Sequence, residues 1–271
     1  MSTGTLSSII SAIQSEQGAI AAVTGLPSDS QAIQSAAQPL LGGVIAQVQS
    51  AQGIAQGFAA SAINTLNNVL TLVNDKSLDA ARSAVGQLAV QASTAQAGVN
   101  QVVQSTQVAL TQVTGWVQTL NTSVGNLGVQ RSSLQSQIDS KSSDAASAKK
   151  KELLLIAAGP FGLVGLAVAT AFYLKLQGEV DSLNRQKDDL ASQLSSVTAT
   201  QTAVTNLSSG LQTGVSTLLT LKSAMDFMAS DVGNLIGDLD PARDPAASAT
   251  VITVFSRTCL TEAATIQADA S

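Results

Sequence analysis

Histidine is absent from this chain, cysteine occurs once, and aromatic residues make up 3% of it. Without histidine there is no imidazole for general acid–base work, no Ser-His-Asp or Cys-His nucleophile, and none of the commonest metal ligand. With Cys259 alone, an intrachain disulfide and a cysteine-based zinc site are both excluded. Charge is scarce too. Only 11% of residues are Asp, Glu, Lys or Arg, the net charge is −5 and the pI lies near 4.6, so nothing favours nucleic-acid binding, which needs clustered lysine and arginine. The chain is nevertheless too apolar for disorder, at 45% hydrophobic residues.

Cofactor motifs are missing as well: there is no GxxxxGK[ST] loop and no GxGxxG after a strand. Asp226, Asp231, Asp238, Asp240 and Asp244 suggest a metal site, and Asp238-x-Asp240 starts like a calcium loop. Ala242 and Arg243, however, fill the places where another acid and glycine are needed, so a solvated helix end is the better reading. No cofactor is expected, and an enzyme is the least expected class. The first residues, MSTGTLSSIISAIQ, lack the basic start and unbroken apolar stretch of a cleaved signal peptide. If the protein leaves its cell, another route or lysis is expected.

What the chain does contain is apolar residues at three- and four-residue steps, the signature of helices with one buried stripe. Leu6, Ile9, Ile13, Ile20 and Val23 predict a helix over 5–24, broken by Gly25-Leu26-Pro27, with Ser28 or Asp29 as the next N-cap. A second helix follows over 30–74, carrying Ile33, Ala37, Leu41, Val44 and so on to Val73, with Pro39 as a possible kink. After a turn at Asn74-Asp75 and a cap at Ser77, the pattern runs from Leu78 through Thr106 to Ile138, with Arg131 at the one inner position that breaks its apolar character. A helix over 77–148 would be about 105 Å long, too long for a compact domain. Leu176 to Leu235 repeats the pattern, Gly237-Asp238-Leu239-Asp240-Pro241 ends it, and a last helix is predicted over 246–268. Period-two alternation is nowhere sustained, so strands are not expected.

Between the two long patterns lies the only strongly apolar uncharged run, Leu153–Leu174 (LLLIAAGPFGLVGLAVATAFYL), preceded by Lys149, Lys150, Lys151 and Glu152 and followed by Lys175. A helix of roughly 20 such residues spans a bilayer. Two arrangements use every apolar residue. The run is a hairpin, turned at Gly159-Pro160 and Gly162, between antiparallel long helices; or it is a single kinked span between helices that continue in line. The hairpin is favoured, because bundling the long helices covers seams that a lone rod would leave in water. The candidate membrane-inserting residues are Leu153, Leu154, Leu155, Ile156, Gly159, Pro160, Phe161, Leu163, Val164, Leu166, Val168, Phe172, Tyr173 and Leu174. Lys149, Lys150, Lys151 and Lys175 are the candidate lipid-surface contacts. A basic residue near an anionic surface contributes ~1 kcal/mol, although the same lysines also serve as a solvated face. Trp116 and Cys259 read as packing residues.

This order of features resembles the cytolysin A-type α-helical pore-forming toxins, including the components of hemolysin BL and related two- and three-part toxins. The likeness covers nearly the whole chain: long heptad-like helices, a central apolar tongue at Leu153–Leu174 and a returning helix. It implies an all-α fold, an elongated bundle of long antiparallel helices with a small hydrophobic head, the tongue hairpin, at one end. Residues 1–148 and 176–271 would form the tail bundle and 149–175 the head. It further implies a secreted, soluble protomer that inserts its tongue into a target-cell lipid membrane. There it would oligomerise into a helical pore, with copies of itself or with related toxin components. Two rival classes are a translocator or effector of a secretion apparatus and a single-pass coiled-coil membrane protein.

Overall fold

The computed structural model describes residues 5–157, 163–238 and 245–270, and the side chains over 5–151, 169–233 and 249–270. Five helices lie among them: α1 (Leu6–Ala22), α2 (Ser28–Asn74), α3 (Leu78–Ala157), α4 (Leu163–Asp238) and α5 (Pro245–Asp269). No strand occurs among the described residues. The protein is an all-α bundle of long helices, as the three-and-four spacing requires.

The helix ends follow from local chemistry. Gly25 separates α1 from α2 at φ 73°, a left-handed conformation that glycine adopts without steric cost. The carbonyl accepting the first bond of α2 belongs to Pro27, from the Gln31 N–H at 2.9 Å. Ser28 and Asp29 are therefore already helical and are not the N-cap that the sequence suggested. Pro39 lies inside α2, which runs through it without a break. At the other end of α2 the Ser77 N–H donates to the Leu72 carbonyl (2.8 Å) and the Lys76 N–H to the Val73 carbonyl (3.1 Å). This is a Schellman closure, and Lys76 holds the left-handed position at φ 59° where glycine is usual. Ser77 then caps α3, its carbonyl accepting from the Ala81 N–H at 3.0 Å. Pro245 opens α5 at a first-turn position where a missing N–H costs nothing.

The two long helices reach into the apolar run. α3 continues through Lys149, Lys150 and Lys151 to Ala157, and α4 already begins at Leu163. Residues 158–162, with the turn expected at Gly159-Pro160 and Gly162, lie outside the described residues, as do residues 239–244.

The chain divides into two compact units. The first comprises Met1–Ala21, Ser35–Gly115 and Ala203–Ser271. From Ala37 to Val73 every position on the apolar list of α2 is buried, and so is every one from Val204 to Val232 on α4. Alanines recur on this core: Ala51, Ala55 and Ala62 on α2 and Ala81, Ala92 and Ala95 on α3 are all buried. Small side chains let helices approach closely, which is how a core with so few aromatics stays filled. α1 runs antiparallel to α2, with Gln17 and Gln38 each donating its side-chain amide to the other's carbonyl at 3.2 Å and Gln52 donating to the Ser7 hydroxyl at 2.8 Å.

The second unit comprises Ala22–Gln34 and Trp116–Thr202. Here α3 and α4 face each other, and the seam is only partly covered. Leu120, Leu127, Ile138, Leu176 and Val197 are buried, while Val117, Val124, Leu134, Val180, Leu183, Leu190 and Leu194 are half-buried. A groove of about 610 Å³ opens between Leu134 and Gln137 of one helix and Gln186 and Leu190 of the other. Arg131 is exposed, not inward. A long cationic side chain can lay its stem along such a narrow seam and carry the guanidinium to water.

Candidate functional site

The second unit shows how α3 and α4 run relative to one another. Gln135 accepts from the Lys187 ammonium, Lys141 pairs with Glu179 at 2.7 Å, and Ala145 and Ala148 pack against Leu176 and Tyr173. Farther along, Gln201 donates its amide to the Asn121 side-chain oxygen. Each step forward on α3 is matched by a step back on α4, so the helices are antiparallel in this unit. The hairpin arrangement of the two flanks follows; an in-line continuation is not what these contacts allow.

The site is built from the last described side chains of α3 and the first of α4. Lys149, Lys150 and Lys151 are exposed at the end of α3, and Lys175 is exposed on α4. Phe172 and Leu174 are large apolar side chains left 53% and 59% exposed, while Tyr173 between them turns inward. The geometry explains the alternation, because successive residues of a helix point about 100° apart and only one of three neighbours can face α3. The Lys149 ammonium lies over the Tyr173 ring, 5.8 Å from its centre, within cation–π range. The site thus presents four ammonium groups beside an exposed phenylalanine and leucine.

Its support is polar at the surface and small inside. The hydrogen bond from Lys141 holds the Glu179 carboxyl below its usual pKa, with the Lys141 and Lys175 charges adding to the effect, and the same bond raises Lys141. Ala145 and Ala148 leave room for the Tyr173 ring. Sequence reading singled out the ring and the lysines but missed this support, since nothing in a linear pattern says which alanines of α3 oppose which residues of α4. Among the other predicted residues, Leu153, Leu154, Leu155 and Ile156 fall on α3 and Leu163, Val164, Leu166 and Val168 on α4. Their side chains, and the whole of Gly159, Pro160 and Phe161, lie outside the described residues.

Other sequence features fall elsewhere. Cys259 is buried in the first unit, and burial, with Glu262 and Asp231 nearby, pushes its thiol up to about 12. Such a thiol is inert. Asp226 accepts from Gln96 and from Lys222 (2.6 Å), and among the described residues no three His, Cys, Asp or Glu side chains gather as a metal site. Among the described residues, no helix is long and apolar enough to cross a membrane.

No protein-family model matches the chain, and neither does any curated protein sequence. Solved structures do. The soluble AhlC triple head mutant of the tripartite alpha-pore forming toxin AHL from Aeromonas hydrophila is 24% identical, with 99% of each chain covered and a TM-score of 0.76. The pre-pore AhlB of the same toxin is 16% identical, covering 97% of this chain and 93% of that one, with a TM-score of 0.79. The SmhB pore of the tripartite toxin Smh from Serratia marcescens is 11% identical, covering 96% and 98%, with a TM-score of 0.60. The fold is therefore that of tripartite alpha-pore forming toxin components. It does not single out a cytolysin A or hemolysin BL subtype.

Proposed function

We propose that this chain is a non-enzymatic protomer of an α-helical pore-forming toxin. It is secreted in water-soluble form, inserts the apolar run Leu153–Leu174 into the lipid membrane of a target cell, and assembles there. Its partners are further copies of itself or related toxin components. Residues 1–148 and 176–271 act as the tail bundle and 149–175 as the head. The observation that carries this reading is the antiparallel approach of α3 and α4, which sets Lys149 against Tyr173 and brings both flanks of the apolar run together.

The physical sequence is short. Lys149, Lys150, Lys151 and Lys175 draw the flanks toward anionic headgroups. Phe172 and Leu174, already exposed, enter the interface first. Transfer of the rest of the run out of water then supplies about 25 cal/mol for each Å² of apolar surface removed, and the fold likeness to the pore-forming components of Aeromonas and Serratia supports assembly as the next step.

The test is association with liposomes. Protein expressed without detergent is added to vesicles, which are then washed with alkaline carbonate. Soluble protein that becomes carbonate-resistant is the expected result, even where lysis needs further components. Recovery in detergent alone would make the run a constitutive anchor and end the proposal.

A further inference from the structure

α5 docks on the first unit through Ile252, Ser256, Cys259, Ala263, Ile266 and Ala270, all buried and spaced by threes and fours. It lies antiparallel to α2: Gln56 donates to the Ala270 carbonyl at 3.1 Å, while Val73 and Asn74 share a cleft with Ala249 and Thr250. The docked face contains two polar atoms that are buried without a hydrogen-bond partner, Ser256 Oγ and Glu262 Oε2. A buried polar atom without a partner costs free energy, and an ionised one costs most. Glu262 stands three residues beyond Cys259 on α5, and Asp231 of α4 acts on both side chains.

Among the described residues, nothing cationic answers this carboxylate. From Ser30 to Asn74, α2 carries no ionisable residue on its buried face. On the neighbouring stretch of α4, Lys222 is already paired with Asp226 at 2.6 Å, leaving Asp231 as the charge felt by Glu262. The first unit's part of α3 contributes Asp79 and Arg82, α1 contributes Glu16, whose carboxylate meets Asn206, and α5 itself has an exposed Arg257 and a half-buried Asp269. None of these acts on Glu262, whose carboxyl is raised by burial first and by Asp231 second.

We propose that Glu262 is a pH-sensitive catch for α5: protonated, it holds the helix against α2 and α4, and ionised, it loosens the helix from them. The sign follows from linkage. A carboxyl that takes up a proton more readily when docked contributes stability that is fully present below its undocked pKa. That stability is lost as the pH rises through its docked value. Opening α5 returns both Glu262 and Asp231 to water and relieves their repulsion.

Cys259 reports the opening, because it is the only thiol in the chain and is fully buried on the docked face. The rate of its modification by 4,4′-dithiodipyridine is measured from pH 4 to 8 on the full chain and on Glu262→Gln; losing the Glu262 charge lowers the thiol pKa, so that effect alone cannot make the natural chain the faster of the two. Equal rates are expected at the acid end, with the natural chain several-fold faster at neutral pH. Asp231→Asn, which removes the repulsion, should label more slowly than the natural chain at neutral pH and at the same rate at the acid end, which keeps the test intact if Glu262→Gln folds poorly. A ratio that stays flat with pH overturns the proposal. So does labelling that rises only together with hydrogen exchange throughout α2, since the whole unit and not α5 would then be opening.

Discussion

The Lys141 ammonium meets a Glu179 carboxylate oxygen at 2.7 Å, linking two residues nearly forty positions apart in the chain. Both side chains are more than a third exposed, so the pair adds little stability. What it does is mark register. With the pair in place, α3 and α4 run antiparallel beside one another as far as Lys149 and Tyr173.

A pair of spin labels replacing the exposed Lys150 and Lys175 should therefore give distances of about 10–20 Å, the range of adjacent helices plus label arms. The same residues on one continuous helix would be roughly 38 Å apart. Pulsed electron resonance on the soluble protein separates the two cases. A population centred at the longer distance would contradict the antiparallel contacts.

The two units should differ in their response to truncation. Leu211 is fully buried in the first unit, and Leu211→Ala should cost about 2–5 kcal/mol through lost burial and the cavity left behind. Leu190 is half-buried beside the open groove of the second unit, and Leu190→Ala should cost roughly half as much or less. Urea unfolding followed by circular dichroism gives both values. Equal losses would mean that the partly covered seam is sealed in solution.

Lys76 occupies the left-handed position that closes α2. Relieving its Cβ should make Lys76→Gly more stable by about 1 kcal/mol. Thermal unfolding measures this as a higher Tm. A fall in Tm would show that the Lys76 side chain contributes more than its backbone strain costs.

Exchanging Lys149, Lys150 and Lys151 for glutamine should weaken association with anionic vesicles by about 100-fold, at ~1 kcal/mol per basic residue. Binding to neutral vesicles should hardly change, and added salt should narrow the difference. Vesicle co-sedimentation at two salt concentrations is sufficient. Unchanged affinity for anionic vesicles would leave these lysines as a solvated face only.

The helices, the breaks at Gly25 and at Asn74–Ser77, and the buried positions from Ala37 to Val73 were determined by the sequence alone. Helical periodicity is a local property, and each apolar residue in a many-helix core has a neighbour on every side, so pattern and burial coincide. The tertiary structure decided what depends on contacts between distant residues. A stripe that looks uniform in sequence becomes half-exposed at Val180, Leu183 and Leu190 and sends Arg131 to solvent, because fewer helices meet in the second unit. Likewise Glu262 reads as one more surface acid until packing of α5 in the first unit buries one oxygen of its carboxylate beside Asp231 of α4. Period and turn chemistry act over a few residues, whereas burial of a charge depends on which helices come together.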